Sequence, residues 1–392
     1  MSNISIDTSQ RIISLRFLLI VMVVFAHANV TEVNFTGGSQ ILNIPDGIRF
    51  IMFAISEIIT RSEVSVFFFV SGLLLYSKDY SFLDVLRKRT KSIALPYVLW
   101  TCIMITVFFV LQSIPFSKEY FSNPQNLVRN FSFIDWIDAF FGKFTEHRNN
   151  LPFVYQFWFL RDLFVMSLLY GVIKTIVDKS PKLLLTLFIL LWVCNIDIYI
   201  VSTRALLFFS LAYYATKYSW QFKNIDTIPF IVLLSIYVAC VTLETSLFFK
   251  ESKLIVQSLP TIILNFSNSG MELLKMVLHA VNIFLGVILL IRLSAFLIKN
   301  ERIYNSLAWL AGFNFFVYAS HEPLLTILTK LSSKFINPEG AMFLVQYFAL
   351  SISVICITLI AGILVKKFAP KAYAILTGGR LQAYFVKLST KK

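Results

Sequence analysis

Residues 16–27 read RFLLIVMVVFAH, ten uncharged and almost wholly apolar residues between an arginine and a histidine. At 100° per residue, eleven steps come within about 20° of three full turns, so in a helix Arg16 and His27 share one face, roughly 16.5 Å apart along the axis. A run this apolar suits lipid, where ionisable groups are rare and costly. One reading makes Arg16 a positive flank at the inner end of a span and His27 a satisfied interior imidazole. The other makes both line a functional cavity, and the rest of the chain must weigh between them.

The composition is 57% hydrophobic, 16% aromatic and 14% charged, with a mean hydropathy of +0.75 over 392 residues. These values exclude an ordinary water-soluble domain and point to an all-α, polytopic membrane protein. The first apolar run has charged flanks and no small-residue cleavage site, so it reads as a retained membrane helix and not as a signal peptide. Cys102, Cys194, Cys240 and Cys356 fall singly in separate apolar stretches, without metal spacing, and read as packing residues; no metal is expected. The net charge of +14 is scattered between apolar runs with no folded basic module, which favours a lipid bilayer over nucleic acid as partner. With both termini inside, 22 of the 35 Lys and Arg residues lie on the inner side and 12 on the outer, leaving Arg161 in the membrane. That asymmetry predicts N-in, C-in and an even number of spans.

Apolar runs of spanning length fall near 12–30, 50–77, 92–112, 155–176, 183–200, 203–218, 227–247, 273–295, 307–330 and 340–365, about ten transmembrane helices. The fifth and sixth are interrupted by Asp197 and Arg204, and a re-entrant pair also fits there. Residues 1–380 read as one transmembrane domain and 381–392 as a basic cytoplasmic tail. The long connection at 113–153 is placed outside by the charge rule; its prolines and aromatics suit a membrane surface facing a sugar, or a passive connector. RKRTK (87–91) can bind a polyphosphate or anchor to anionic headgroups. Pro96 predicts a kink or a local opening of the helical ladder.

Glu57, Arg61, Glu63, Arg161, Asp162, Asp197, Arg204, His279, His321 and Glu322 interrupt the apolar runs. Each charge near a helix centre costs about 2.5 to 3.5 kcal/mol on insertion scales, so together they imply a polar interior. In WFLRDL (158–163), Trp158 and Arg161 share a face while Asp162 points about 100° away, which predicts separate partners for Arg161 and Asp162. In SHEPLL (320–325), Pro323 loosens the helix beside His321 and Glu322. A packing hydrogen bond is the alternative role for this pair. Glu322 diverges from its neighbour and can reach another helix, even His27, to fix a tautomer. His279 follows Lys275 by four residues, with no acid on that face to orient it, and His147 lies in a charged external stretch. No HExxH, Walker, GxSxG or GxGxxG pattern occurs. What remains suits a histidine general base acting on a hydroxyl with an anionic donor, or a proton-coupled transporter.

Four stretches taken together resemble the acyltransferase-3 family of integral-membrane O-acyltransferases: RFLLIVMVVFAH (16–27), VSVFFFVSGLLLY (64–76), QFWFLRDL (156–163) and NFFVYASHEPLL (314–325). The resemblance runs over nearly the whole chain and implies transfer of an acyl group, acetyl above all, from cytoplasmic acyl-CoA to a lipid-linked or surface carbohydrate at the bacterial cytoplasmic (inner) membrane. It implies His27 as the catalytic histidine and Arg16 on the donor side, with Arg89 fitting the family's basic pair; His321 and Glu322 are expected to assist His27, and Lys91 to stand with Arg89 on the donor side. The family's Arg-x-x-Arg before the third span is half present, with Ser92 in its second place. Glu63, Ser71, Trp158, Arg161 and Asp162 are expected as structural or cavity polar groups. Acyl-CoA is expected as a substrate, with no permanently bound cofactor, and a homo-oligomer is left open. The chain is expected to work without the extra hydrolase-like domain of some relatives, alone or with a partner. Direct transfer with His27 as base is the expected route, an acyl-histidine its variant within the class. A transporter of lipid-linked sugars or acyl groups is the competing class, separated by whether purified protein makes or breaks an acyl bond.

Overall fold

The computed structural model describes residues 4–35, 38–115, 127–145, 148, 150–198, 201–249 and 268–379; the tail from 381 and His147 lie outside them. The opening stretch sits in α1 (Ile6–Ala26), whose 21 residues extend about 31 Å, the thickness of a bilayer core. Ser5 caps its start by accepting from the Thr8 N–H. Both faces of α1 bury side chains, which is what a central helix of a membrane bundle requires.

Six helices among the described residues are long and apolar enough to cross a membrane: Ile6–Ala26, Asp46–Tyr76, Phe82–Ser113, Phe230–Phe248, Ser269–Leu297 and Met342–Phe368. Two of them carry π-helical turns. The second joins α2 (Asp46–Phe53) to α3 (Ser62–Tyr76) through Ala54–Ile59, and the third joins α4 (Phe82–Arg89) to α5 (Leu95–Ser113) through Thr90–Ala94. The second opening lies just before Pro96, where the missing N–H and the ring disturb the ladder as expected.

The other four predicted runs are built differently. The run at 155–176 is divided into α7 (Trp158–Leu168) and α8 (Tyr170–Lys179). The runs at 183–200 and 203–218 become α9 (Pro181–Val193) and α10 (Thr203–Lys217), too short to cross a 30 Å core squarely. Asp197 lies in the turn between them and accepts the Thr203 N–H at 3.0 Å, so it begins α10 instead of breaking a span. The remaining run falls across a break at Gly312–Phe313, between a helix at Glu301–Ala311 and one at Asn314–Phe335. Among the described residues the architecture is all-α as expected, with one short antiparallel hairpin, Glu32–Phe35 with Gly38–Ile41.

The connection at 113–153 carries structure of its own. Its helix α6 (Phe133–Phe141) begins with a Ser132–Asp135 capping box and ends at Gly142 in the left-handed conformation (φ 70°), where a Cβ would strike the Leu151 backbone. Numbering then continues with α11 (Phe230–Phe248), α12 (Asn268–Leu297), α13 (Glu301–Ala311), α14 (Asn314–Phe335), α15 (Met342–Phe368) and α16 (Pro370–Leu376). At the N-terminal end of α1, buried Arg11 makes two hydrogen bonds to Asp226, at 2.9 and 2.5 Å, tying α1 to the turn before α11. Those bonds hold the Asp226 carboxyl below the ordinary carboxylate range.

Candidate active site

His27 forms the C-cap of α1, where the last turn frees its side chain from the helix. The Ser56 hydroxyl donates to the Phe25 carbonyl at 2.6 Å and meets the Tyr347 hydroxyl at 2.8 Å, securing this end of α1 against the π-helical turn. The imidazole faces α14. Its ring lies nearly parallel to that of His321, with centroids 5.6 Å apart and 26° between planes.

Between His27 and Glu322 stands a residue the sequence did not single out. The Tyr155 hydroxyl donates to Glu322 Oε1 at 2.9 Å and lies 3.2 Å from His27 Nδ1. A phenol has one proton, and here it goes to the carboxylate; His27 must therefore donate through Nδ1 to the Tyr155 oxygen, leaving Nε2 with its lone pair. Glu322 thus reaches His27 across helices, as its divergence from His321 allowed, but through a tyrosine. Thr326 donates to the same carboxylate oxygen at 2.9 Å.

Tyr155 is held by the turn Tyr155–Phe157 that precedes α7. The Tyr318 hydroxyl donates to the Gln156 carbonyl at 2.6 Å, so α14 supplies both the clamp and the acid within about one turn. His321 is fully buried and donates through Nδ1 to the Tyr318 carbonyl at 2.7 Å. Pro323 continues α14 without a break, its absent N–H leaving the Ala319 carbonyl without the usual helical donor.

A cavity of about 990 Å³ occupies the half of the bundle toward the N-terminal end of α1. Arg16, Ser71, Lys78, Lys88 and Arg89 line it. Along the segment before α5, the cavity face carries Val85, Lys88, Arg89 and Ser92, the i, i+3, i+4, i+7 pattern of one helix face. Arg87 and Lys91 are exposed and are not among the lining residues. Lys91 therefore points away from where the resemblance would put a donor ligand, and Lys88 takes a place not expected of it. Arg89, one of the lining residues, has its Nε buried without a hydrogen-bond partner among the described residues. The lining extends to Ile20 along α1 and to Tyr318 along α14.

Other polar groups expected from the sequence bond to one another and to the backbone around them. Arg161 and Asp162 were assigned separate partners, yet they bond to one another, Nε and Nη2 lying 3.2 and 3.1 Å from Oδ1. The flexible arginine folds back across the 100° offset because an unpaired charge is costly there. Arg161 also donates to the carbonyls of Phe141 and Asn150, and Asp162 accepts the Ser202 N–H, so the pair ties the 113–153 connection to the start of α10. Trp158 lies under the Arg204 guanidinium at 5.6 Å, and Glu63 is buried at the first turn of α3 with Oε2 lacking a described partner. His279 has no acid within a turn of it on its own helix, yet Glu244 on α11 comes within 2.8 Å of its Nδ1, an acid supplied by a different helix. Among the described residues no group of three or more His, Cys, Asp or Glu could hold a metal ion.

Residues 9–363 match the family described as an acyltransferase domain, acyltransferase-3. The chain is also similar to the succinoglycan biosynthesis protein ExoH of Rhizobium meliloti (strain 1021), 23% identical over 383 residues, covering 96% of this chain and 94% of that protein. No solved structure matches it.

Proposed function

Because this chain belongs to the acyltransferase-3 family of membrane acyltransferases, we propose that it moves an acyl group, acetyl in the first instance, from cytoplasmic acyl-CoA to a hydroxyl of a lipid-linked or cell-surface carbohydrate. The similarity to a succinoglycan biosynthesis protein supports a glycan acceptor. The proposed setting is the bacterial cytoplasmic membrane, in a multi-pass arrangement with both termini inside, so that the cationic cavity opens to the cytoplasm and His27 lies toward the outer side.

The observation that carries the reading is the Glu322–Tyr155–His27 relay standing beyond a cationic cavity. Arg16, Lys88 and Arg89 offer charge-assisted donors to the donor's phosphates, and the apolar upper cavity accepts its thin arm. His27 Nε2 takes the proton of the acceptor hydroxyl as its oxygen bonds to the acyl carbon. Tyr155 and Glu322 keep the imidazole in the tautomer that can do so and stabilise the charge it gains. A proton-coupled transporter uses the same residue types, so the two readings are separated by whether an acyl bond is made. Mass analysis of surface glycans from cells with and without the protein tests the function: loss of one acyl group per repeat supports it, and unchanged acylation with altered export supports a transporter.

A further inference from the structure

Base chemistry at His27 leaves His321 unused, yet His321 is the more deeply placed ring. A carbonyl can only accept, so the 2.7 Å contact with the Tyr318 oxygen puts the His321 proton on Nδ1. In the neutral ring Nε2 then carries a lone pair, and that atom is buried with no hydrogen-bond partner among the described residues. Its position matters as much as its chemistry. Along α14 the cavity lining ends at Tyr318, and His321 is three residues on, about 4.5 Å of helical rise. Along α1 the lining ends at Ile20, seven residues and about 10.5 Å short of His27. Counted along the two helices, His321 therefore stands nearer the end of the cavity lining than His27, which is half-buried at the end of α1 with its ring 5.6 Å from that of His321.

We propose that His321 Nε2 is a nucleophile that carries the acyl group between the cavity and the acceptor, with His27 serving the second step; this rests on the acyl-CoA reading above. In the first step the Nε2 lone pair attacks the thioester carbonyl, an N–C bond forms, the C–S bond breaks and CoA leaves as a thiolate. The Nδ1 proton stays on the ring, still donated to the Tyr318 carbonyl, so the acyl-imidazole is cationic and readily attacked. In the second step the acceptor oxygen bonds to the acyl carbon as its proton passes to His27 Nε2. The N–C bond breaks and its electron pair returns to His321. The proton on His27 then goes to the CoA thiolate through water, which closes the balance. The parallel rings place the acyl carrier beside the base that its discharge needs.

The test uses the full chain in lipid nanodiscs, mixed rapidly with acetyl-CoA in the absence of any glycan. The expected result is a burst of CoA thiol, one per chain, and an acetyl group on the peptide containing His321, discharged when a membrane extract of lipid-linked glycan is added. His27→Asn should keep the burst and the label but lose discharge. His321→Asn should lose both while retaining CoA binding, which shows that it is folded. Glycan acetylation by the wild-type chain without a preceding burst, or a label that survives His321→Asn on the peptide containing His27, would overturn the proposal. A wild-type chain that neither releases thiol nor acetylates any glycan would instead sink the acyltransferase reading, and this inference with it.

Discussion

Tyr155 divides one hydroxyl between two partners, and that division sets the tautomer of His27. Phenylalanine keeps the ring that packs edge-on against the imidazole, with centroids 5.2 Å apart, and deletes only the relay. Hydrogen bonds to charged groups are worth about 1.5 to 3 kcal/mol, so Tyr155→Phe should lower kcat by roughly one to two orders of magnitude. The KM for acyl-CoA should change little, and an unaltered kcat in steady-state transfer assays would dismiss the relay. His27, His321 and Glu322 were legible in the sequence because polar groups are conspicuous in apolar runs. Tyr155 was not, because it is one of 16 tyrosines in an aromatic-rich chain and its role arises only from two distant partners. The one available signal was its place at the head of a span, where a phenol sits between lipid and water. The Glu244–His279 contact was hidden for a similar reason, since helix-face arguments see acids on the same helix and not on the next one.

Helices α3 and α10 approach closely because Gly72 has no side chain. A Cβ there would lie 2.6 Å from the Ala212 Cβ and 3.3 Å from the Phe209 carbonyl oxygen, so the Ser-Gly of VSVFFFVSGLLLY is a packing requirement as well as a cavity wall. Gly72→Val should therefore destabilise the folded chain by about 1 to 3 kcal/mol, seen as a lower detergent melting temperature; an unchanged value would contradict the close packing. Hydropathy located the apolar runs well but not their internal breaks. The division at Leu169 leaves no mark in the hydropathy, and for the π turn at Thr90–Ala94 Pro96 is the one local sign in the sequence. The short α9 and α10 show the converse, since Asp197 looked like an interruption until its capping bond to Thr203 was seen.

Across the whole molecule the cavity and the relay lie toward opposite ends of α1, so the account depends on which end faces the cytoplasm. In a cysteine-free background, cysteines at Leu83 and Asn130, both exposed, should react with an impermeant reagent from opposite sides of the membrane. Reaction from the same side would break the proposed topology. At the cavity end, the Arg11–Asp226 bonds also couple stability to pH. Because Asp226 titrates below its ordinary value when folded, its contribution is present above that value and is lost as pH falls through the lowered one. Melting temperature should thus fall less on acidification for Asp226→Asn than for the wild type, and an equal fall would show that the pair does not bear on stability. The central claim is that His27 is the base, and the structure supplies its own rival in His279, which also has a carboxylate partner at hydrogen-bond distance. The direct measurement is acetyl transfer from acetyl-CoA to lipid-linked glycan by His27→Ala and His279→Ala proteins of equal abundance. The account predicts a loss of about two to four orders of magnitude for His27→Ala, the usual span of general-base catalysis, with transfer by His279→Ala near the wild-type rate. Near-normal transfer by His27→Ala together with an inactive His279→Ala would contradict it.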